Sequence, residues 1–252
     1  MARKSELHIF APDLHFPSHD KATWRALMNF IGRNKISTFI FGGDQFDNAE
    51  ISGHNIGKSI YKPEGAFKKN EIAFDKQILR PLERELRGAA KGWLVGNHDE
   101  WESEASEVQP ELKGCLNRIT NLRLRERGWK IISNGKSTQI GKLVVCHGNT
   151  ISGGSNLATR KAIEIYFKST LFGHFHSASS SSKVSPVDSS QKYMAWSSPA
   201  LCNLNPAYMR DKPNAWIHGF TIIETLPNGN FNVYPIVVTR GRFAFGGVIY
   251  AA

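Results

Sequence analysis

A chain of 252 residues can bury a full core, and 40% hydrophobic with 21% charged residues is the composition of an ordinary globular protein. A net charge of +10 favours a polyanionic partner, and three scattered cysteines, Cys115, Cys146 and Cys202, exclude a disulfide framework or zinc ribbon and read as reduced core thiols. The first apolar run is broken by His8, Pro12 and Asp13, too short for a signal core or membrane span, so the sequence predicts an intracellular, cytoplasmic protein with no membrane partner.

In chain order, residues 7–11 read as a first strand, and Ser18 or Asp20 can cap a helix whose apolar stripe is Trp24, Leu27, Met28 and Ile31. Residues 38–41 form a second strand ending in Gly42-Gly43-Asp44, which completes a β-α-β unit. A loop is expected over 46–65, then a helix carrying Phe74, Ile78, Leu82 and Leu86 and kinked at Pro81. Trp93-Leu94-Val95 is a buried strand, and Gly96 turns the chain to present Asn97, His98 and Asp99 together. Residues 100–107 read as a solvated helical turn and 110–127 as a helix.

Short strands are expected over 130–132, 137–140 and 143–145, the last ending at His147. A helix over 156–167 leads to a strand over 169–172 that ends in Gly173-His174-Phe175-His176. The serine-rich stretch 177–190 reads as a long surface loop. Two late strands, 217–224 and 231–238, flank the hairpin signal Pro227-Asn228-Gly229-Asn230. No internal repeat or linker divides the chain.

The apolar runs thus end in Asp13 with His15, Asp44, Asn97 with His98, His147, and His174 with His176. Ligands of open α/β sheets collect beyond the carboxyl ends of strands, so these side chains are expected to converge. Alternation along an extended segment puts both members of Asp13-x-His15, and of His174-x-His176, on one side. The set is mixed oxygen and nitrogen without thiolate, which suits manganese, iron or zinc, and it has enough ligands for two ions. Two ions sharing a carboxylate are a device for phosphate-ester chemistry.

The ordered motifs Asp13-x-His15, Gly43-Asp44-x-x-Asp47, Gly96-Asn97-His98-Asp99, His147 and Gly173-His174-x-His176 resemble the calcineurin-like metallophosphoesterase family. The resemblance implies an α/β fold, a four-layer α/β/β/α sandwich of two mixed sheets flanked by helices. A single domain over 1–252 would carry its motifs within 13–176, with 177–252 completing the sandwich. It also implies two divalent cofactor ions, manganese foremost, with iron or zinc as the other choices. Asp13, His15, Asp44 and His176 would hold one, and Asp44, Asn97, His147 and His174 the other. His98 would be the catalytic acid beside the phosphoryl group, with Asp99 orienting it, and the attacking group a metal-bridging hydroxide.

Isolated histidines are more often structural than catalytic, and His8, His19, His54 and His218 are taken so. Gly53-His54-Asn55-Ile56-Gly57-Lys58-Ser59 imitates a phosphate-binding Walker loop but is one residue short and follows no strand. Asp47 reads as a supporting acid. Trp101, Tyr208 and Trp216 are candidates for stacking on bases, against the commoner role in packing.

Between 113 and 142, Lys113, Arg118, Arg123, Arg125, Arg127, Lys130, Lys136 and Lys142 face a single acid, Glu126, and predict a basic patch. The site and the charge together predict a phosphodiesterase or nuclease whose substrate and partner is nucleic acid or a nucleotide. A phosphomonoesterase acting on protein or nucleotide is the alternative, and a non-catalytic scaffold of the same fold is the reading from another class.

Overall fold

Short apolar runs fed by amphipathic helices build two large sheets here, with a two-stranded sheet beside them. The computed structural model describes residues 5–55, 58, 63–206, 209 and 212–252. The first part of the chain forms β1 (Glu6–Ala11), α1 (Lys21–Arg33), β2 (Ile36–Phe41), α2 (Ala66–Phe74), α3 (Arg80–Glu85), β3 (Ala90–Leu94), α4 (Asn97–Val108), α5 (Arg118–Asn121) and β4 (Trp129–Ile132). The second part forms β5 (Ser137–Ile140), β6 (Leu143–Cys146), α6 (Ser155–Tyr166), β7 (Thr170–Phe172), β8 (Ser179–Val184), β9 (Lys192–Ser197), β10 (Gly219–Thr225), β11 (Phe231–Val237), β12 (Arg242–Phe245) and β13 (Val248–Ala251).

One sheet has the order β11-β10-β1-β2-β3-β4, with β1 to β4 parallel and β10 and β11 antiparallel at one edge. The other has the order β5-β6-β7-β9-β8, parallel across β6, β7 and β9. Three apolar cores separate four layers. Phe10, Ile40, Leu94 and Ile223 meet Leu143, Val145 and Leu171 between the sheets. Ile9, Phe39 and Phe41 pack outward against α1 to α3 through Leu27, Phe30, Phe74 and Leu82. Phe172 and Ala195 pack against Ala158, Ala162 and Ile163 of α6. The expected α/β/β/α sandwich of two mixed sheets is therefore the fold. Each fully buried large side chain contributes roughly 1.5–3 kcal/mol.

Local chemistry sets the ends of elements. Asp20, not Ser18, caps α1, its Oδ1 accepting the Thr23 backbone N–H at 2.6 Å. Pro81 sits in the first turn of α3, and the helix ahead of it widens to a π turn at Asp75–Leu79, with the Arg80 N–H bonded to the Asp75 carbonyl. Proline has no N–H and its ring crowds the preceding turn, so the widened turn replaces the simple kink expected there.

Several expectations are corrected. The serine-rich stretch is not a structureless loop, because residues 179–184 form edge strand β8 against β9. Its backbone pairs with a neighbouring strand while its side chains stay mostly exposed, so hydrophobic alternation gives no signal. Residues 110–127 are not one helix; a 3-10 turn at Pro110–Leu112 and the short α5 are joined through Gly114 at φ +86°, a conformation that suits glycine and stops a helix. Residues 100–107 are helical, as expected, but belong to the longer α4, and Glu102 and Ser106 on it are buried. Cys115 is exposed, unlike the buried Cys146 and Cys202. The β12–β13 hairpin, unforeseen, covers α1 through Phe243 and Tyr250, whose rings lie 6.0 and 4.9 Å from Phe30. No described helix is long and apolar enough to cross a membrane.

Candidate metal centre

The carboxyl ends of β1, β2, β3, β6 and β7 meet at one end of the sandwich, and all seven candidate ligands stand there. Backbone bonds weave the loops together: Asp13 N–H to the Gly43 carbonyl at 3.0 Å, His15 N–H to the Asp44 carbonyl at 2.9 Å, and Gly173 N–H to the His147 carbonyl at 2.8 Å. The Asp13 carboxylate crosses between sheets, its Oδ2 accepting the His174 N–H at 2.8 Å.

The paired motifs are not extended. Asp13, His15, Asp44, His174 and His176 have φ of 55°, 49°, 54°, 69° and 56°, in the left-handed region that non-glycine residues seldom adopt. Tight left-handed turns, not strand alternation, bring each pair to the centre. Strain of this kind persists where surrounding structure enforces it, and here it clusters on candidate ligands.

Three groups of side chains each have ligand atoms within 4.8 Å of one another: Asp13, His15 and His176; His15, Asp44 and His98; and Asp44, His147 and His174. His176 Nε2 lies 3.4 Å from Asp13 Oδ1 and 3.3 Å from His15 Nε2. His147 Nε2 lies 3.3 Å from Asp44 Oδ2 and 3.1 Å from Asn97 Oδ1. The His147 Nδ1–H donates to the Gly42 carbonyl at 2.9 Å, which directs Nε2 inward. Asp13 Oδ1 and His15 Nδ1 are buried without a hydrogen-bond partner. A carboxylate oxygen left unpaired beside convergent imidazoles fits divalent cations, which take such oxygen and nitrogen donors.

Two glycines make room for this packing. A Cβ on Gly43 would lie 2.2 Å from His147 Nδ1, and one on Gly96 would lie 2.1 Å from Asp44 Oδ1. Gly96 also begins α4, so Asn97, His98 and Asp99 occupy a helical first turn and not a free loop. The His98 backbone N–H donates to Asp44 Oδ1 at 2.9 Å, an anion at a helix N-terminus.

Asp99 does not orient the His98 ring. Its Oδ2 accepts the backbone N–H groups of Gly96 at 2.8 Å and Asp44 at 3.0 Å, because the third residue of a helix reaches back to its cap. The His98 ring is instead held by the Asp47 carbonyl, 2.8 Å from Nδ1. Asp47 Oδ1 also stands 3.5 Å from His15 Nδ1.

Charge coupling runs through the whole cluster. Burial opposes ionisation of Asp44, yet His147, His98 and His15 hold its carboxyl well below the usual range. Burial likewise lowers His147, but Asp44 and Asp13 outweigh it and push the imidazole up to about 9. Burial and the neighbouring His147 lower His174 to about 4. Burial, then Asp44, raises Asp99 to about 8. Burial and His15 also lower His98.

The calcineurin-like phosphoesterase family model matches residues 9–219. The chain belongs to the calcineurin-like phosphoesterase family. Among solved structures, wild-type Vps29 complexed with zinc from Entamoeba histolytica is 12% identical, with 98% of this chain and 97% of that chain covered and a TM-score of 0.46. Vacuolar protein sorting 29 from Cryptosporidium parvum is 14% identical, with 99% and 97% covered and a TM-score of 0.45. A protein from Streptococcus pneumoniae described as a predicted phosphoesterase is 11% identical, with 100% and 99% covered and a TM-score of 0.39. No curated protein matches the chain.

Other residues at this site carried no motif. Asn48 Nδ2 donates to the His98 carbonyl at 2.9 Å, and Gln45 Nε2 to the Leu94 carbonyl at 2.8 Å. Cys202 Sγ stands 3.6 Å from His176 Nδ1. Trp216 packs edge-on to His176 at 4.3 Å, and Trp101 lies over His98 at 4.0 Å. Sequence spacing signals only Trp101, one helical turn past His98. Tyr208, and Ile56, Gly57 and Ser59 of the Walker-like stretch, lie outside the described residues.

The basic patch is smaller than expected. Arg118 is buried, and Arg127 pairs with Asp75 at 2.6 Å and Glu83 at 2.7 Å. Lys113 pairs with Glu107 at 2.8 Å. Sequence neighbours supply a single acid, but the fold brings others from the loop after β2, the π turn, α3 and α4. Arg123, Arg125, Lys130 and Lys136 stay exposed and make no ion pair among the described residues.

Proposed function

We propose that this phosphoesterase is a dinuclear metal-dependent phosphodiesterase acting on nucleic acid or nucleotides. The observation that carries the reading is the convergence of Asp13, His15, Asp44, His147, His174 and His176, with Asn97 beside His147, around an imidazole, His98, whose Nδ1 is held by the Asp47 carbonyl. Asp13, His15, Asp44 and His176 would hold one divalent ion, and Asp44, Asn97, His147 and His174 the other. Such a pair supplies Lewis acidity for the phosphoryl oxygens and lowers the pKa of water.

The chain's own residues supply the rest. With Nδ1–H committed to the Asp47 carbonyl, Nε2 is the atom of His98 free to face substrate. A bound phosphoryl group brings negative charge beside that nitrogen and favours its protonation. As the P–O bond breaks, Nε2 gives its proton to the leaving oxygen. Asp44 is held for its role from both sides, by the His98 N–H on its carboxylate and by Asp99 on its own N–H. The exposed Arg123, Arg125, Lys130 and Lys136 are positive charges that a phosphate backbone could engage, which favours a diester.

The test is manganese-dependent cleavage of end-labelled single-stranded and duplex DNA and RNA, beside a phosphate monoester, with His98→Ala as the contamination control. Oligonucleotide cleavage by wild type alone supports the proposal. Release of phosphate from the monoester with every oligonucleotide intact transfers the reading to a phosphomonoesterase. Two bound metals with no turnover of any activated phosphate ester leave a scaffold.

A further inference from the structure

Arg118 is fully buried, 2% exposed, in a chain with abundant surface for its cations. Its guanidinium lies between the rings of Phe46 and Phe67, 3.9 Å from each centroid. The Nη2 group donates to Glu50 Oε1 at 2.9 Å and Nη1 to Glu102 Oε1 at 3.2 Å. Its backbone N–H donates to Glu102 Oε2 at 2.9 Å. Replacing a buried ion cluster by apolar residues of the same volume is often neutral or stabilising, so stability alone does not account for Arg118.

The geometry fixed here is that of His98. Phe46 and Glu50 bracket Asp47 and Asn48, the residues that touch His98: the Asp47 carbonyl accepts from Nδ1, and Asn48 Nδ2 donates to the His98 carbonyl. Glu102 lies four residues beyond His98 on α4, one helical turn away. One guanidinium therefore grips both the loop that holds the imidazole and the helix that carries it. Asn70 Nδ2, 3.3 Å from Glu50 Oε1, ties α2 into the same cluster.

We propose that Arg118 is a positioning residue for His98, joining Phe46, Glu50 and Glu102 so that the Asp47 carbonyl stays on Nδ1 and Nε2 stays aimed at the leaving oxygen. The proposal rests on His98 as the proton donor. Arg118 touches no reacting atom. Lysine at this position would keep the charge but lose the planar fork that spans two carboxylates.

The experiment compares Arg118→Lys with wild type, with manganese bound, on a phosphate diester with a nitrophenyl leaving group and on one with an alkyl leaving group. A nitrophenolate departs without a proton, whereas an alkoxide needs one. Misplacement of the acid is expected to lower kcat about 10- to 100-fold on the alkyl ester and less than about 2-fold on the nitrophenyl ester, with KM unchanged. The exposed Arg84→Lys is the control. In the metal-free proteins, the imidazole ¹⁵N spectrum, with His98 assigned by its loss in His98→Gln, is expected to lose the Nδ1–H signature in Arg118→Lys.

An equal fall on both esters, or no fall, in a folded Arg118→Lys protein overturns the proposal. If that variant does not fold, Glu102→Gln takes its place under the same criteria. If wild type cleaves neither ester, the phosphodiesterase reading fails by itself, and the nitrogen spectrum decides this inference alone: loss of the signature supports the clamp, and its retention overturns it.

Discussion

The Nδ1 of His98 donates to the backbone carbonyl of Asp47 at 2.8 Å, which fixes the ring without spending a charged group on it. A side chain held in this way can be removed without disturbing a metal ligand. His98→Ala is expected to keep both ions and lose about 10²–10⁴-fold in turnover. Asp44→Asn, at a ligand shared by both proposed sites, is expected to lose metal as well. Metal content by elemental analysis beside turnover checks the division, and equal metal loss in both variants would make His98 a ligand.

Gly96 leaves no space for a side chain, with Asp44 Oδ1 at 2.1 Å and Asp44 N at 2.4 Å from the position a Cβ would take. Neither neighbour can yield, because Asp99 and the His98 N–H pin Asp44. Gly96→Ala is expected to cost about 1–3 kcal/mol of stability and to weaken metal uptake. Chemical denaturation and metal titration of the folded variant measure the two effects separately.

Asp99 satisfies two buried backbone donors, Gly96 N–H and Asp44 N–H. Asp99→Ala abandons both, at a cost of about 1–3 kcal/mol for each. Asp99→Asn retains an amide oxygen as acceptor and is expected to lose less. If unfolding in urea finds the two variants equal, Asp99 acts by something other than these bonds.

The metal-free protein is expected to lose stability as pH rises above about 6.5. Asp99, raised from 3.8 to about 8, and His147, raised from 6.5 to about 9, both bind more protons folded than unfolded in that range, so deprotonation favours unfolding. His174, lowered from 6.5 to about 4, works the other way only below 6.5, where its stabilisation fades as pH falls. Each proton is worth up to about 1.4 kcal/mol per pH unit. Metal competes with protons for the ligands, so manganese should stabilise most at alkaline pH. Melting curves from about pH 5 to 9, with chelator and with manganese, test the slope, and a metal-free melting temperature that climbs toward pH 9 would contradict it.

Arg127 and Arg125 are two residues apart and differ in what they hold. Arg127 reaches Asp75 and Glu83, tying the β4 entry to the helices, while Arg125 is exposed. Arg127→Ala is expected to cost about 1–3 kcal/mol in a melt, and Arg125→Ala to stay within about 0.5 kcal/mol. Arg125→Ala should instead weaken single-stranded DNA binding and reduce its salt dependence.

The strands that carry ligands were legible because buried parallel strands are written as apolar runs with a glycine at the end, as in Trp93-Leu94-Val95-Gly96 and Leu171-Phe172-Gly173. The ligand types followed at those ends, so the meeting point could be read before any contact was known. What stayed hidden were relationships made by the fold. Asp99 lies next to His98 in sequence, yet the helix turns its carboxylate toward Asp44. Arg118 reads as surface charge because Glu50 and Glu102, its partners, lie 68 and 16 residues away. Strand β8 has almost no hydrophobic pattern because an exposed edge needs none.

Asp13, His15, Asp44 and Asn97 follow strands of the β11-to-β4 sheet, whereas His147, His174 and His176 follow strands of the β5-to-β8 sheet. Ions coordinated by both groups would rivet the two sheets at their rims, where the apolar seam between them gives way to polar side chains. Chelation would then open the sandwich from that rim first, while the cores against α1 and α6 stay shut.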